Sequence, residues 1–367
     1  MRTVTFTAAV LALVACSHRE ALWGVEGGPL VVDRLELSRD GGRVSWCHQD
    51  DLIAFDREDS DGHMEVHTVR PDGTGERCVT CGIEDLPTGI RGQPAWHPSC
   101  EYMLLAVQGE HYGGTRFEHV SWGIHDDLWA VAADGSWAER LVEVPYLGAT
   151  LHPQFSDTGQ QVFWTARAST GETVPTIEEV PGDENQWDGW YLSVADWVAP
   201  DAGGPALAQR QDLYTAEGGF FESHALIDGV LWFSHTDDGA FLVDEGFSAA
   251  VDGSGRTNHT QAPGGWDEHV DPSPNGRLIS FNSSRASRWQ HPPDTALSLT
   301  MELWALTEDG GQVQLTRYGE ELPALTRSVT SDYAWGPDGR SLASLHVEVQ
   351  LGQYTQIIEV LTLDQAW

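Results

Sequence analysis

The chain contains no lysine, and its 20 basic residues, all arginine, stand against 56 aspartates and glutamates. The formal net charge at pH 7 is therefore −36. A surface of this sign repels polyanions, so we expect no nucleic-acid partner. The same excess of carboxylates favours cations and basic partners.

The common catalytic signatures are missing as well. The sequence has no Gly-x-Ser-x-Gly nucleophile elbow, no P-loop and no dinucleotide-binding fingerprint. Beyond residue 16, no segment approaches the roughly 20 apolar residues that a membrane-spanning helix needs. We therefore expect neither a nucleotide-dependent enzyme nor a serine hydrolase of the common type. Any membrane attachment is expected to use an anchor.

The first 16 residues contain an apolar run that is too short to span a bilayer. Arg2 supplies a positive charge, residues 4–15 are apolar, and the run ends in Leu13-Val14-Ala15-Cys16. A charged start followed by a short apolar run is typical of an export signal. The end of the run resembles the bacterial lipobox, in which the cysteine becomes the lipidated first residue.

This start predicts a lipoprotein signal peptide at 1–15, followed by a lipidated Cys16 and a short tether at 16–32. The protein would then be exported and anchored by lipid to the bacterial cell envelope. The resemblance to the lipobox, with Ser17 after the cysteine, implies the outer membrane. An ordinary signal peptide is the alternative.

A hairpin motif recurs along most of the remaining chain. An apolar strand, a turn of the Pro-Asp-Gly type and a second apolar strand are followed by a Leu-Trp-like strand that ends at another Asp-Gly. The first hairpin recurs at 334–339, 270–276 and 153–159, with weaker copies at 95–100 and 225–229, and the second recurs at 69–73, 127–135, 250–253 and 303–310. Self-similarity of this kind indicates a repeat architecture.

A four-stranded antiparallel unit cannot bury both of its faces, whereas a ring of such units can. We therefore predict an all-β protein, a β-propeller over residues 33–367 with six four-stranded blades, seven being the alternative. The first unit is expected to begin near residues 52–55, and strands within 33–46 to close the ring beside the last blade. Aromatic anchors at equivalent places are Trp96, Phe155 and Trp335, with Ile227 and Pro272 as apolar substitutes.

The motif resembles the TolB-like, Pro-Asp repeat propeller family over roughly residues 33–365. The resemblance implies the fold. For function it implies several uses, because propellers of this type include protein-interaction modules, non-catalytic domains of prolyl-peptidase-like enzymes and a few lyases.

Four cysteines follow the export signal: Cys47, Cys78, Cys81 and Cys100. An even number in an exported chain predicts disulfides, whose pairing the sequence leaves open. Gly82 follows the Cys78-Val79-Thr80-Cys81 segment where a haem attachment site has histidine. A redox function of this segment is the less favoured alternative.

The repeat also predicts which residues face the central channel. We expect the residue three positions before each anchor to begin the innermost strand, at the channel mouth. This register gives Gln93, His152, His224, His269 and Asp332, with Glu222 and Glu268 nearby. Imidazole with carboxylate or amide oxygen suits one divalent metal ion of the Zn, Mn or Fe class. Otherwise we expect no cofactor, and the histidines then cap strand ends.

The longest insertions are predicted on the face where the innermost strands begin. They join second and third strands at 108–126, 167–189, 235–246 and 284–300. Long loops on a rigid scaffold commonly carry function. The first of these loops holds His111, His119 and His125, which could extend the site.

Two main functions follow. The first is an envelope binding module that docks a protein, peptide or glycan through its long-looped face and channel mouth. The alternative is a metal-dependent propeller enzyme, similar to polysaccharide lyases that act on uronates, in which Arg91 and His125 would neutralise charge and act as base. A scaffold with an unused channel is the third reading.

Overall fold

The structure, a computed structural model, describes residues 30–111, 113, 122–168, 189–201, 204–236, 243–262, 265–285, 299–323 and 326–367. Within these residues, 24 strands and a single four-residue helix are present. The strands form six four-stranded antiparallel sheets, and the helix, α1, spans Tyr318–Glu321. The six-bladed propeller predicted from the repeat is confirmed.

Each blade consists of four strands, in the following order from the channel outwards. Blade 1 contains β2 (Gly41–Cys47), β3 (Leu52–Glu58), β4 (Met64–Val69) and β5 (Arg77–Cys78); blade 2 contains β6 (Arg91–Trp96), β7 (Tyr102–Gln108), β8 (Asp126–Ala132) and β9 (Ala138–Val142); blade 3 contains β10 (Ala149–Phe155), β11 (Gln161–Arg167), β12 (Trp190–Asp201) and β13 (Gly204–Leu213). Blade 4 contains β14 (Phe220–Ile227), β15 (Val230–Thr236), β16 (Glu245–Ala250) and β17 (Thr257–Asn258); blade 5 contains β18 (Asp267–Pro272), β19 (Leu278–Ser283), β20 (Glu302–Thr307) and β21 (Gln312–Gln314); blade 6 contains β22 (Thr326–Trp335), β23 (Ser341–Gln350), β24 (Gln353–Leu363) and β1 (Val31–Arg39).

The ring closure differs from the prediction. Only β1 closes the ring, by antiparallel pairing with β24, whereas β2 is the innermost strand of blade 1. The first blade therefore begins at Gly41 rather than near Leu52. Asp40 separates the two strands with a φ of 63°, and the Asp-Gly-Gly sequence at this point is itself a turn signal.

Each blade interface buries its own apolar cluster. The predicted anchors lie at the ends of innermost strands and pack against the neighbouring blade: Trp96 packs with blade 1, Phe155 with blade 2 and Trp335 with blade 5. Ile227 and Pro272 end β14 and β18 in the same way. The core is thus divided among the interfaces around the ring.

The connections on the two faces of the propeller differ in length. On one face the Asp-Gly turns are short, because the Asp side chain accepts the backbone N–H two residues on and Gly takes positive φ, as at Asp338 (2.9 Å) and Gly339 (60°). On the other face, which we call the long-loop face, the second and third strands of blades 2 to 5 are joined by long connections. Ile124 and Asp244, at the ends of two such connections, bridge to the next blade at Ala149 and Trp266.

The described residues contain no helix long and apolar enough to cross a membrane. The predicted export signal and tether, including Cys16, fall within residues 1–29, outside the described residues, apart from the tether's last three residues.

Candidate functional site in the channel

Every innermost strand carries a β-bulge at the same place. In blade 3, for example, Leu151 pairs with Thr165 but Gln154 pairs with Phe163, so β10 has one residue more than β11 over this stretch. The same irregularity interrupts the five other innermost strands. A bulge changes the direction of a side chain. One residue from each of the six bulges belongs to what we call the channel ring: Arg43, Gln93, His152, His224, His269 and Asp332.

Three members of the ring have a left-handed backbone. The φ angles of Gln93, His152 and His269 are 54°, 48° and 55°, and such a conformation costs a non-glycine residue of the order of 1–3 kcal/mol. Neighbouring side chains hold these bulges in place. Asp56 accepts the N–H groups of Arg43 (3.1 Å) and Gln93 (2.8 Å) through its two carboxylate oxygens.

The ring is also linked from blade to blade by side chains. The Gln93 Oε1 atom accepts the His152 N–H (2.6 Å), and the His224 Nε2 atom accepts the His269 N–H (3.1 Å). The Gln93 oxygen is therefore committed to positioning the next bulge and is not a free metal ligand.

The depth of the ring corrects the prediction. The innermost strands begin two to six residues before the ring positions, so the ring lies inside the channel and not at its mouth. All five predicted members are at most 9% exposed. The predicted position at the channel mouth was wrong because the spacing to the anchor determines which residue faces the channel, but not where the strand begins. Each strand continues beyond that residue in both directions.

The sixth member, Arg43, is missing from the predicted set. It lies three residues before Trp46, in the same register as the other five. The spacing to Trp46 points to Arg43, but the prediction misses it because it assigns residues 33–46 to the ring closure. Arg43 bonds Asp332 (Nη1 to Oδ1, 2.5 Å) and approaches Glu222 (3.9 Å).

Charge within the ring is partly balanced. Burial favours the neutral form of Asp332, but Arg43 and His269 hold its pKa well below the usual value. Burial also favours the neutral form of His269, which by itself would lower its pKa. The carboxylates of Asp332 (3.2 Å) and Glu222 outweigh burial and raise the pKa well above the usual value. Burial lowers the pKa of both His152 and His224, with Arg43 adding to the effect at His152.

Glu222 and Glu268 lie beside the ring as predicted. The Oε1 atom of Glu222 is 3.3 Å from His152 Nδ1, and burial raises the pKa of Glu222 to about 7. Glu268 accepts the indole N–H of Trp266, and its Oε1 atom is 3.5 Å from His269 Nδ1, too far for a normal hydrogen bond.

The three histidines leave one nitrogen each without a hydrogen-bond partner among the described residues: His152 Nε2, His224 Nδ1 and His269 Nδ1. One nitrogen from each ring can be chosen so that all lie within 4.8 Å of one another. Three imidazoles about 2.1 Å from one metal ion would need separations of roughly 3.4 Å. The three rings are therefore near one another, but their nitrogens would have to approach further to share one ion.

Binding of a metal ion by these nitrogens would require two adjustments. The neutral ring of His224 carries its proton on Nδ1, because Nε2 accepts a backbone N–H. Binding at Nδ1 would require that proton to move to Nε2, which could then donate to the Ser234 Oγ atom (2.6 Å) but would no longer accept the His269 N–H. His269 has to release its proton, since metal ligands are deprotonated.

The other predicted extensions of the site lie elsewhere. His111 and His125 form a separate cluster with Tyr146, with ring centroids 5.3 to 6.0 Å apart. His125 is buried, and its Nε2 atom accepts the Leu147 N–H (3.0 Å), so it acts in loop packing. His119 lies outside the described residues.

Arg91 is likewise engaged in packing. It is paired with Glu65 (2.8 Å) and donates to the carbonyls of Pro87, Leu86 and Thr80. Its side chain is 4% exposed. It is therefore not available to neutralise a uronate substrate, which removes one of the two residues suggested for lyase chemistry.

Two disulfides are present among the described residues. Cys47–Cys100 joins the end of β2 to the turn after β6, and thus blade 1 to blade 2, with Cα atoms 5.7 Å apart. Cys78–Cys81 closes a short segment at the outer edge of blade 1, with Cα atoms 5.6 Å apart.

The ring separates two cavities. One, of about 580 Å³, opens on the long-loop side between blades 6 and 1 and reaches Arg43 and Asp332. The other, of about 290 Å³, lies towards the short-turn face and reaches His224. The ring therefore forms a polar partition inside the channel.

The protein is therefore a six-bladed β-propeller with a polar ring in its channel. No protein-family model and no curated relative matches the chain. Among solved structures, TolB from Acinetobacter baumannii is similar with a TM-score of 0.50 and 13% identity, over 87% of this chain and 65% of that one. The propeller is thus of the TolB-like type in fold.

Two further structures are similar at TM-scores below 0.5. A TolB-type protein from Agrobacterium tumefaciens gives 0.47 at 15% identity, covering 80% of this chain and 87% of that one. An oligogalacturonate lyase in complex with manganese gives 0.45 at 11% identity, covering 91% of this chain and 98% of that one.

Proposed function

We propose that the protein is a binding module of the bacterial envelope that seats a basic segment of a partner protein or peptide on its long-loop face. The observation that carries this proposal is the 580 Å³ cavity between blades 6 and 1, lined by five carboxylates and two guanidinium groups. Its volume lies within the range of ordinary ligand sites.

The cavity lies where the long loops are interrupted. The second and third strands are joined by residues 59–63 in blade 1 and by residues 351–352 in blade 6, whereas residues 168–189 make the same connection in blade 3. The connections at the seam between blades 6 and 1 are thus short.

The two walls of the cavity differ in chemistry. The blade 1 side carries Asp40, Asp56, Glu58 and Asp59, and the blade 6 side carries the apolar Val329, Leu345, Val347 and Val349. Asp40 and Glu58 are exposed and form no side-chain hydrogen bond or ion pair with any described residue. An aliphatic stem that ends in a positive charge, such as a lysine or arginine side chain, matches both walls.

The test is the affinity of a lysine-containing peptide for the parent and for an Asp40→Asn/Glu58→Gln variant. Asparagine tolerates the positive φ of Asp40, so the fold is retained. We expect the variant to bind about tenfold more weakly at low salt, as loss of two facing charges implies. A Glu84→Gln/Asp85→Asn variant has the same charge change outside the cavity and is the matched control. Equal loss in both variants, or no binding by the parent, contradicts the proposal.

The lipid anchor at Cys16 is a separate part of the proposal, resting on the sequence of residues 1–16. It places the short tether, and therefore the propeller, close to a membrane surface. A Cys16→Ser variant is expected to lose incorporation of labelled fatty acid and to appear in the soluble envelope fraction. An unchanged membrane fraction would contradict the anchor.

Metal binding inside the channel is the second candidate function. It is favoured by the three unpartnered histidine nitrogens, which His152, His224 and His269 would supply to a zinc, manganese or iron ion. A metal held there would polarise a bound oxygen group or simply brace the ring. Lyase chemistry is less favoured, because Arg91 is committed to Glu65 and His125 to the Leu147 N–H. Incubation of the metal-loaded protein with oligogalacturonate, followed at the wavelength of the unsaturated product, tests it directly.

A further inference from the structure

The two disulfides in the described part of the chain differ in exposure. Cys47 and Cys100 are 1% and 4% exposed, so an external thiol cannot reach their bond without opening the blade 1–blade 2 interface. Cys78 is half-buried and Cys81 is exposed. The second disulfide is therefore accessible in the folded protein.

The accessible disulfide lies on the outer edge of blade 1. Cys78 is the last residue of β5, the outermost strand, and pairs with His67 of β4. Two residues later the chain turns, and the Cys81 N–H donates to the Cys78 Sγ atom (3.0 Å). A hydrogen bond to sulfur stabilises the thiolate form and makes that sulfur the better leaving group.

We propose that Cys78-Val79-Thr80-Cys81 is a thiol–disulfide exchange site for a dithiol. A thiolate of the dithiol attacks the exposed Cys81 Sγ atom, the sulfur–sulfur bond breaks, and its electron pair leaves on Cys78 Sγ, which takes up a proton. The second thiol of the dithiol loses its proton and attacks the mixed disulfide at the dithiol's own sulfur, which releases Cys81 as a thiolate. Two electrons pass from the dithiol, which becomes a disulfide, to the cysteine pair, which becomes two thiols.

The site is connected to the channel through buried contacts. Thr80, between the two cysteines, is fully buried, donates its hydroxyl proton to Glu65 and accepts the Val66 N–H (2.9 Å). The carbonyl of Thr80 accepts from Arg91 (3.0 Å), which lies two residues before Gln93 of the channel ring.

Differential alkylation tests the proposal on the full chain. The folded protein is exposed to dithiothreitol for a series of times, quenched with N-ethylmaleimide and mapped by mass spectrometry. We expect label on Cys78 and Cys81 at least tenfold faster than on Cys47 and Cys100, with unchanged circular dichroism. Equal rates for the two pairs, or no label on Cys78 and Cys81 before unfolding, overturn the proposal.

The direction of attack has its own readout. Brief treatment with glutathione, a monothiol, traps the mixed disulfide, and the site predicts the adduct on Cys81. An adduct mainly on Cys78 contradicts the assigned leaving group. A Cys78→Ser/Cys81→Ser variant is the control, because it should oxidise no dithiol peptide while the parent converts one equivalent.

Discussion

The two halves of the channel ring differ in how fully their polar atoms are used. Blades 6, 1 and 2 contribute Asp332, Arg43 and Gln93, which are joined by a short ion pair and by the shared carboxylate of Asp56. Blades 3, 4 and 5 contribute three histidines, each with a buried nitrogen that has no hydrogen-bond partner among the described residues. We call these the closed half and the open half.

The comparison suggests different roles for the two halves: one stabilises the fold, and the other is available to a ligand. A buried polar atom without a partner costs of the order of 1–3 kcal/mol, and the three such nitrogens on adjacent blades are the basis for our proposal that a ligand completes the open half. The closed half is the half that the Cys47–Cys100 disulfide braces. Its expected role is to keep the propeller closed.

Removing Arg43 is the strongest test of the closed half. Arg43→Ala leaves Asp332 and Glu222 as buried carboxylates without their guanidinium partner, and breaking a buried pair costs about 3–5 kcal/mol. The free energy of unfolding from urea titration should fall by that amount. Arg39→Ala is the control, because the Arg39–Glu36 pair is about half exposed and should cost about 1 kcal/mol or less. Equal losses would contradict the distinction.

The disulfide that braces the closed half should matter next most. Cys47→Ser/Cys100→Ser opens a loop of 53 residues in sequence separation, which is worth up to about 4 kcal/mol. Cys78→Ser/Cys81→Ser, with a separation of 3, should cost about half as much. Thermal denaturation of the two variants measures the difference, and the reverse order would mean that blade 1 and blade 2 do not depend on the covalent bridge.

The closed half should also give a characteristic pH dependence through Asp56. Burial raises the pKa of this carboxyl from 3.8 to about 6, so the folded state holds its proton more tightly than the unfolded state. Its contribution to stability is complete below pH 3.8 and is lost as the pH rises through 6, by up to about 3 kcal/mol.

An Asp56→Asn variant cannot ionise at this position and should lose that component of the pH profile. The measurement is the free energy of unfolding from pH 4 to 7 for parent and variant, with Asp85→Asn as an exposed control. A difference between parent and Asp56→Asn that stays constant with pH would show that Asp56 does not titrate in this range.

The open half predicts the smallest effect, and only with metal present. At a zinc concentration 100 times the dissociation constant, the parent should gain about 2.7 kcal/mol and unfold several degrees higher. His152→Ala/His224→Ala/His269→Ala should show no such gain. A His48→Ala/His63→Ala/His259→Ala variant removes three histidines outside the ring and should respond like the parent.

The repeat predicts which residues belong to the ring, but not the partners that surround them. The spacing of three residues before an apolar anchor predicts Gln93, His152, His269 and Asp332. The structure shows why the spacing holds, because the same bulge interrupts the innermost strand that contains each of them. His224 was found despite a shorter bulge, between Ser223 and Ala225. Arg43 obeys the same spacing before Trp46, so a correct assignment of β2 would have completed the ring.

Other features could not be read from the sequence. Whether an arginine is free or committed depends on partners brought together by the fold, and Arg91 is held by Glu65 of the neighbouring blade. The pairing of four cysteines has the same dependence. The cavity between blades 6 and 1 is lined by residues that are distant in sequence, so no single segment signals it.

The comparison of the two halves rests on the proposal that the open half of the ring takes a metal ion. The most direct measurement is isothermal titration of the metal-free parent with zinc and with manganese, confirmed by elemental analysis after dialysis. We predict about one equivalent bound by the parent and none by the triple ring variant His152→Ala/His224→Ala/His269→Ala. No binding by the parent, or equal binding by that variant, would contradict the claim and leave the three nitrogens to buried water.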